Sequence, residues 1–550
     1  MIAAIATRAR LAGMCIGESQ LRRLLFAWLG FNVADMAVTV ALGVYAFGIG
    51  GAAAVGLITL ARSLPAIVSA PLFSVVTDRL SRRSMLAVGF WGRALITGLI
   101  AIALAVDSPL WVLYVLAPLD IILSSAVYPA SAASIPDLSP TAEILSSTNA
   151  VFSMMENAGA LVGPLLAAGL IAGVGVESVF VVSVAIYALG ALTTRSLVSD
   201  RKVGTLRGIR MLGEVKEGLT TLRRHWDART VVIAWTLESM LIGVLEVVLV
   251  VVALDLLGWG DPGVGLLTAV TGVGGIIGAA SLAVSTRTRA YGMVMVTALA
   301  LFGLGLAGMS IDQVALVILG ATAIGVALSY ADVASQTLVQ RTTPGDSLGR
   351  VLGMCEGLYW AAVGVGALIG SLVIEAWGPV VALVGFAAAA VLIALLVAAP
   401  MKRIDREAQV AFDRVASCGG CSLFAALPVA TVEYLANHAA DRTFSPGERI
   451  MKEGDEGDDF YLIVDGEVDV DVGGSVVKRL GPGDYFGEIA LLYQTPRTAT
   501  VTAVSPLQTL SFDGGHFVAA VTGYIGSSAT IGSVAEARLA ENRERLEWEE

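Results

Sequence analysis

The stretch VVALVGFAAAAVLIALLVAAP, residues 380–400, contains no charged residue over its whole length. About 20 apolar residues in an α-helix cross a hydrocarbon core of about 30 Å. The rest of the chain is similar, because 56% of its 550 residues are hydrophobic, only 15% are charged and the mean hydropathy is +0.79. A soluble protein of this length needs more charge to cover its surface. The composition therefore indicates a protein of the lipid bilayer.

Apolar segments of this kind recur along the chain, and we predict that twelve of them cross the membrane as helices. They form two sets of six, one on each side of the polar stretch 200–229. The segments lie near 24–48, 51–75, 84–106, 109–133, 143–173, 177–198, 230–257, 263–285, 291–310, 313–335, 348–375 and 379–399. The sequence thus predicts an all-α membrane part built from two six-helix halves.

Basic residues mark one side of the membrane. They follow the second, sixth, eighth, tenth and twelfth segments, and nine Lys or Arg residues lie within 195–229 alone. The opposite loops, GIGG, VDSP, GVGVES, GWGDPG, SIDQ and EAWG, contain no Lys or Arg. Cytoplasmic loops are the ones that accumulate these residues. We therefore expect a multi-pass protein of the cell inner membrane with both termini in the cytoplasm.

A short motif repeats in the two halves. GALVGP at 159–164 and GALIGS at 366–371 each lie in the fifth segment of their half. Small residues at this spacing let helices pack closely, which is one explanation of the motif. Its return at the same position favours a second explanation, two related halves, which is a common plan of membrane transporters. Within the first copy we expect a helix kink at Gly159, Gly163 and Pro164.

The loop between the second and third segments reads SVVTDRLSRRS, residues 74–84. It resembles the loop signature of the major facilitator superfamily, Gly-x-x-x-Asp-Arg-x-Gly-Arg-Arg, with serines at 74 and 81 in place of the glycines. The signature's charged positions are matched by Asp78, Arg79, Arg82 and Arg83. The runs LARSLPAIVSAPLF and VYPASAASIPDLSP resemble the superfamily's drug and siderophore exporters. Over about residues 20–400 the resemblance implies a proton-driven exporter of small amphipathic compounds with those four charges at its cytoplasmic gate.

Ionisable side chains inside the apolar segments cost at least ~2.5 kcal/mol each, so they tend to face a cavity or a partner. We expect a proton-coupling carboxylate among them, with Asp35 as the first choice and Glu156 as the second. Arg62 is expected to pair with Asp35 or with Asp120. For each of these groups, a purely structural ion pair is the alternative. The full set of candidates is Asp35, Arg62, Arg93, Asp120, Glu156, Glu238, Glu246, Asp332 and Glu356.

The last quarter of the chain differs from the rest in its net charge and in the spacing of its apolar residues. Residues 416–550 contain 21 acidic and 9 basic residues, which argues against nucleic acid as a partner. The run DDFYLIVDGEVDVDV, residues 458–472, alternates apolar and polar residues, as half-buried strands do, with a turn at 465–466. SVVKRL and VTAVSPLQTLSF indicate further strands, and 423–439 and 533–550 have the pattern of helices. We predict a small cytoplasmic β-barrel with flanking helices.

Within this tail, FGEIALLYQTPRTATV at 486–501 has the pattern of a binding site. Gly487 permits close approach of the backbone to a ligand, and a short helix is expected to begin after it. Arg497 supplies a planar fork that suits phosphate oxygens. Glu488 would repel phosphate, so an acceptor role toward a sugar hydroxyl explains it better. Together these groups describe a site for a small sugar phosphate.

This segment resembles the phosphate-binding cassette of cyclic-nucleotide-binding domains, above all that of the regulatory subunits of cyclic-AMP-dependent kinase. The resemblance runs over about 423–550. It implies that Glu488 holds the ribose 2′-hydroxyl and that Arg497 holds the cyclic phosphate. It assigns the remaining contacts to Gly487, Ile489, Ala490 and Thr498.

The base is less well defined by this resemblance. Thr498 stands where the cassettes of cyclic-AMP kinases have alanine, and cyclic-GMP kinases have threonine there. The rest of the cassette favours cyclic AMP, while cyclic GMP remains open. The nucleotide is expected to act as a regulatory ligand and not as a cofactor.

The CGGC motif contains Cys418 and Cys421, and its spacing to His225, His438 and His516 does not suit zinc. We expect a turn there and no metal site, with a redox pair or an intersubunit metal site as the alternatives. No nucleophile–base pair or triphosphate loop is evident, so we do not expect an enzyme.

The predicted organisation ends with a regulatory domain. Its parts are an N-terminal cytoplasmic segment (1–20), two transporter halves (21–199 and 230–400), a central loop (200–229), a linker (401–422) and the nucleotide-binding domain (423–550). Ligand binding is expected to move the helix near 530–548 as a lid and to reach the gate through the linker. The alternatives are a receptor or docking protein that does not transport, and a tail that serves mainly to form a homodimer.

Overall fold

A computed structural model describes most of the chain, in two units that divide at Asp405 and Arg406. In the first unit, and in the helix that continues from it to Gly419, the structure describes residues 18–77, 81–139, 142–197, 211–284, 290–343 and 347–419. Those of the remaining chain are 421, 423–424, 427, 432, 435–436, 439–493, 495–515 and 517–518.

Helices make up the first unit. Of the helices in the described ranges, eleven are long and apolar enough to cross a membrane. The helices are α1 (Ser19–Thr77), α2 (Arg82–Ala105), α3 (Trp111–Leu138), α4 (Ala142–Gly173), α5 (Glu177–Thr194), α6 (Met211–Arg224), α7 (Trp226–Val251), α8 (Asp261–Val284), α9 (Tyr291–Met309), α10 (Val314–Thr342), α11 (Leu348–Trp377) and α12 (Pro379–Gly419). The predicted all-α membrane part is confirmed.

Helix α1 contains two of the twelve predicted segments. It is broken at Gly50 and Gly51, whose φ angles are −140° and +60°. A positive φ is readily adopted by glycine because glycine has no Cβ. This break separates the segments predicted at 24–48 and 51–75, so eleven helices account for twelve crossings. Helix α6, by contrast, lies within 200–229, where we expected only a loop.

The repeated glycine motifs occupy equivalent positions in the two halves. A Cβ added to Gly163 on α4 would lie 2.6 Å from the Val33 carbonyl oxygen on the first part of α1. A Cβ added to Gly370 on α11 would lie 3.3 Å from the Cα of Val244 on α7. The fifth segment of each half therefore packs closely against the first segment of the same half.

The same two helices also join the halves. A Cβ added to Gly265 on α8 would lie 2.5 Å from the carbonyl oxygen of Pro164 on α4. A Cβ added to Gly56, in the second part of α1, would lie 2.8 Å from the carbonyl oxygen of Ala367 on α11. Each fifth segment thus contacts the second segment of the opposite half, so equivalent contacts join the halves in both directions.

A buried ion triad lies inside the first half. The fully buried Arg93 donates from Nε and Nη2 to the two carboxylate oxygens of Asp120 at 3.0 and 2.6 Å, and from Nη2 to Asp35 at 2.6 Å. Its guanidinium carbon lies 4.9 Å from the ring centre of Phe31 and 4.6 Å from that of Tyr187. Two carboxylates and two aromatic faces therefore surround one cation.

The expected pairing of Arg62 with Asp35 or Asp120 is wrong. Arg62 donates to the Oγ1 of Thr39 at 3.2 Å, while Arg93 takes both carboxylates. The reason is geometric, because Arg93 on α2 presents its fork to Asp120 on α3 in two parallel hydrogen bonds.

The second unit contains two antiparallel four-stranded sheets, with strand orders β1-β8-β3-β6 and β2-β7-β4-β5. Its strands are β1 (Ala440–Phe444), β2 (Arg449–Met451), β3 (Asp459–Asp465), β4 (Val468–Val472), β5 (Ser475–Leu480), β6 (Tyr485–Phe486), β7 (Thr500–Ala503) and β8 (Leu507–Asp513). Gly466, with φ +94°, turns the chain from one sheet to the other. The predicted strands are confirmed. The helix predicted at 533–550 and most of the one at 423–439 lie outside the described residues.

The glycine packing of the membrane part gives a test. Gly366→Ala would drive a Cβ into the Met240 backbone, which cannot move aside as a side chain can. Overpacking of this kind costs about 1–3 kcal/mol. Gly353→Ala, on the same helix, is the matched control because nothing lies within 4 Å of its added Cβ. We expect a lower thermal unfolding midpoint in detergent for Gly366→Ala only. Equal midpoints for the two variants would contradict this packing.

Candidate functional site

The junction of β6 and a short helix forms one wall of the candidate site. Strand β6 ends at Phe486, and helix α13 (Glu488–Tyr493) begins two residues later. Between them Gly487 has a φ of +89°. A Cβ at this position would lie 2.7 Å from Nη1 of Arg497 and 3.0 Å from the carbonyl oxygen of Asp459. Glycine is therefore required both for the backbone conformation and for the space beside Arg497.

Arg497 is the central cation of the site and is 5% exposed. Its Nη1 donates to the Gly487 carbonyl oxygen at 2.9 Å, and its Nη2 donates to the Asp459 carbonyl oxygen at 2.7 Å. A guanidinium has five N–H donors, so these bonds hold it in place and leave donors for a ligand. Neither bond neutralises its charge, because both acceptors are uncharged carbonyl groups.

Burial lowers the pKa of the Arg497 guanidinium, and the nearby Tyr461, Asp459 and Asp458 groups partly offset this effect. An arginine pKa begins so far above neutrality that the group stays charged. Burial likewise raises the pKa of the Tyr461 hydroxyl, so that side chain stays neutral.

Gly457 is a site residue that the sequence reasoning missed. Its Cα faces the flat guanidinium of Arg497, and a Cβ there would overlap Nε, Nη2 and Cζ. Asp459, also missed, supplies the carbonyl oxygen described above from 38 residues away in sequence. Nothing within 486–501 indicates these long-range contacts, although the glycine-rich turn GDEGDD before β3 is a place where close backbone approach is expected.

The predicted nucleotide-site residues converge on one cavity. Its polar wall contains Arg497, the buried carboxylate of Glu488 and the half-buried Thr498. Its other walls are mainly apolar and come from both sheets, with Lys478 among them. All six predicted residues line this cavity: Gly487, Glu488, Ile489, Ala490, Arg497 and Thr498. The cavity therefore offers hydrogen-bond donors for an anion, a carboxylate that can accept a hydrogen bond from a hydroxyl group, and an apolar surface.

The predicted gate motif is described only in part. Asp78 and Arg79 lie outside the described residues. Arg82 forms an ion pair with Asp137, and Arg83 is exposed. Ser81, which replaces a signature glycine, accepts a hydrogen bond from the Ser84 N–H at 3.2 Å. That bond caps the N-terminus of α2, which gives this substitution a structural role.

The predicted membrane carboxylates fall into two groups. Asp35 and Asp120 share Arg93, as described above. Glu156 on α4 is not part of the Arg93 ion pairs and interacts electrostatically with Asp332 on α10. Pro164 lies inside α4, which continues to Gly173.

The two cysteines of CGGC are both buried, among Phe424, Phe460 and Phe512. The Cys421 N–H donates to the Cys418 carbonyl oxygen at 3.1 Å, which closes a turn. Burial raises the pKa of the Cys418 thiol to about 12, so the group is neutral at physiological pH. A neutral thiol in an aromatic cluster acts as an apolar packing group.

Comparison with known proteins separates the two parts of the chain. The family model described as Major Facilitator Superfamily matches residues 24–293. The uncharacterized MFS-type transporter YfiS of Bacillus subtilis is 28% identical over 329 residues, which cover 58% of this chain and 78% of YfiS. The solved nucleoside transporter NupG has the same fold, with a TM-score of 0.60 at 12% identity, over 70% of this chain and 99% of NupG.

The tail matches a different family. The model described as Cyclic nucleotide-binding domain covers residues 441–524. A cGMP-dependent protein kinase of Toxoplasma gondii is 45% identical over 80 residues, 14% of this chain and 8% of the kinase. A cAMP-dependent protein kinase regulatory subunit of Debaryomyces hansenii is 42% identical over 87 residues, 16% of this chain and 19% of the subunit. The chain thus spans less than a fifth of each of these two relatives.

Gly457 provides a test of the site. Gly457→Ala should displace the Arg497 guanidinium without removing any charged residue. Hydrogen bonds from a charged group contribute about 1.5–3 kcal/mol. We therefore expect the Kd for cyclic AMP, measured by calorimetry on the full chain, to rise about 10- to 150-fold. Gly481→Ala is the control, because nothing lies within 4 Å of its added Cβ. An unchanged Kd in Gly457→Ala would show that the guanidinium position does not matter for binding.

Proposed function

Because the chain belongs to the major facilitator superfamily over residues 24–293 and to the cyclic-nucleotide-binding domain family over 441–524, we propose that it is a proton-driven exporter of small amphipathic compounds under the control of a cyclic nucleotide. The proposal places the protein in the inner membrane of the cell, with the nucleotide domain in the cytoplasm. The exclusion of Lys and Arg from the opposite loops supports this orientation.

The observation that carries the regulatory part is the state of Arg497. Its guanidinium is buried at the edge of a cavity, and the hydrogen bonds that it makes within the described part of the chain go to two uncharged carbonyl oxygens. The carboxylates of Asp459, Asp458 and Glu488 act on it electrostatically, but none is recorded in an ion pair with it among the described residues. A buried cation is costly without such a pair, and a cyclic phosphate would supply one. Glu488 in the same wall would then accept a hydrogen bond from the ribose hydroxyl.

We propose cyclic AMP as the preferred nucleotide. The cassette as a whole supports this preference, whereas Thr498 adds a hydroxyl on the cavity wall that could also serve guanine. Replacement of Thr498 by alanine should therefore weaken the binding of cyclic GMP more than the binding of cyclic AMP.

For proton coupling we propose Asp35, followed by Glu156. Asp35 is the more exposed carboxylate of its triad, with 18% of its side chain accessible, and Asp120 is fully buried. Protonation of Asp35 would remove one of two competing anions and leave Arg93 paired with Asp120. This gives the triad two arrangements that differ by one proton, as a coupled transporter requires.

Nucleotide binding can change transport only through a difference in affinity between two conformations. We propose that residues 401–422, which join the two units in sequence, pass this difference to the cytoplasmic gate. Coupling energies of this kind are typically about 1–3 kcal/mol, which corresponds to 5- to 150-fold in an equilibrium.

Proteoliposomes test both parts of the proposal. With the full chain, an imposed pH gradient should drive uptake of ethidium, and external cyclic AMP should change the initial rate at least about fivefold. Arg497→Ala should keep the basal uptake and lose the response. A response that survives in Arg497→Ala would contradict regulation through this site. In the same vesicles Asp35→Asn and Glu156→Gln should reduce gradient-driven uptake, and full activity in both variants would refute the proposed proton carriers.

A further inference from the structure

Polar groups without a hydrogen-bond partner gather inside the first half of the membrane part. Two lie on α2 and two on α5, and they are Nη1 of Arg93, Oγ1 of Thr97, Oγ of Ser183 and the hydroxyl of Tyr187. All four side chains are fully buried, and none of these atoms has a partner among the residues that the structure describes. An unpaired polar group in an apolar interior is expensive in free energy, so such groups are normally bound by protein atoms or by ordered water.

Helices α2 and α5 pack against each other in antiparallel directions. In the first part of α2, the ring of Phe90 lies 2.5 Å from a Cβ added to Gly190 near the end of α5. Two turns further along α2, a Cβ added to Gly98 would lie 3.7 Å from Cγ2 of Val184. The first distance is an overlap and the second is an ordinary van der Waals contact. The packing of the two helices is therefore looser at the level of Gly98.

The four polar groups occupy two adjacent levels of this helix interface. At the first level, the guanidinium carbon of Arg93 lies 4.6 Å from the ring centre of Tyr187. Thr97 follows Arg93 by about one turn of α2, and Ser183 precedes Tyr187 by about one turn of α5. In antiparallel helices both shifts go in the same direction, so Thr97 and Ser183 lie together at the next level. This is the level at which the packing is looser.

The hydroxyls of Thr97 and Ser183 do not use the hydrogen bond that a helix offers them. A Ser or Thr side chain in a helix can donate to the carbonyl oxygen four residues earlier. Thr194 on α5 does so, because its Oγ1 donates to the Gly190 carbonyl oxygen at 2.8 Å. Thr97 and Ser183 make no such bond in the structure. Each hydroxyl therefore keeps its donor and its acceptor capacity for another group.

The donor set identifies the chemistry of that group. Arg93 uses three of the five N–H donors of a guanidinium on Asp120 and Asp35, and both remaining donors are on Nη1. A group beside Nη1 must accept hydrogen bonds, which a metal ion or an ammonium group cannot do. An anion could accept them, but the carboxylates on the same guanidinium would repel it. Water accepts from Nη1 and can both donate to the hydroxyls and accept from them.

The geometry points to a buried hydration site between α2 and α5, in which ordered water bridges Nη1 of Arg93 to the three hydroxyls. The two levels are one helical turn, about 5.4 Å, apart, which a chain of one or two water molecules spans. Buried waters typically make about three hydrogen bonds to polar groups that are otherwise unsatisfied. The guanidinium is thus bound by carboxylates through Nε and Nη2 and by water through Nη1. This site does not depend on the proposed transport function.

Radiolytic footprinting of the purified full chain tests the site directly. X-ray pulses produce hydroxyl radicals from water, including water held inside a protein, and the radicals oxidise the aromatic side chains beside it. We expect Tyr187 to be oxidised although it is fully buried. Phe180 on the same helix is equally buried but lies in an apolar cluster, so it should stay unmodified.

Variants of Thr97 show whether the oxidation comes from the bound water. Thr97→Val keeps the shape of the side chain and removes the hydroxyl, so it should abolish the oxidation of Tyr187. Thr97→Ser keeps the hydroxyl and should retain the oxidation. Thr97→Val should also lower the thermal unfolding midpoint, because the water loses a partner. Removal of a hydroxyl that was merely unpaired would instead leave the midpoint unchanged or raise it.

Several results would overturn the hydration site. They are an unmodified Tyr187, equal oxidation of Tyr187 in Thr97→Val and Thr97→Ser, and an unchanged or higher unfolding midpoint in Thr97→Val. Exchange of chloride for gluconate tests for an anion in place of water. Oxidation of Tyr187 that is independent of chloride supports water, while oxidation that rises when chloride is removed would overturn the proposal in favour of an anion site.

Discussion

A charged group removed from water needs partners, and both parts of this protein are organised around a buried guanidinium. In the membrane part, Arg93 is enclosed by Asp35, Asp120 and two aromatic rings. In the C-terminal domain, Arg497 donates to two backbone carbonyl oxygens. The first cation is therefore paired with carboxylates of the protein, while the hydrogen bonds of the second go to uncharged groups, and we propose that an external anion pairs with it.

Glycines allow close packing both around Arg497 and between the membrane helices. Gly457 and Gly487 allow the backbone to lie against both sides of the Arg497 fork. In the membrane part, Gly163 and Gly370 bring helices into backbone contact at equivalent places in each half. The motif GALVGP and its partner GALIGS therefore mark close helix packing and a repeated architecture together, and the two explanations of the motif are compatible.

The membrane helices could be predicted from composition alone, because an uncharged apolar run as long as residues 380–400 is typical of a helix that crosses a lipid bilayer. The nucleotide-binding cassette could be predicted as readily, because its six predicted residues lie within twelve positions of sequence. The role of Arg93 was missed because helix rotation decides which arginine meets Asp120, and apolar segments do not reveal rotation. Gly457 and Asp459 were missed because they meet Arg497 through contacts that are distant in sequence. Helix α6 was missed because the many Lys and Arg residues of 200–229 were interpreted as a loop, although Met211–Arg224 has a clear amphipathic helical period.

The central claim is that Arg497 binds a cyclic phosphate in the cavity beside Gly487. Calorimetric titration of the full chain with cyclic AMP and cyclic GMP tests it most directly, with Arg497→Ala as the comparison. We expect cyclic AMP to bind with a Kd well below millimolar, which corresponds to a binding free energy stronger than about −4 kcal/mol, and Arg497→Ala to weaken it at least tenfold. Failure of both nucleotides to bind below about 1 mM, or equal binding by Arg497→Ala, would contradict the claim.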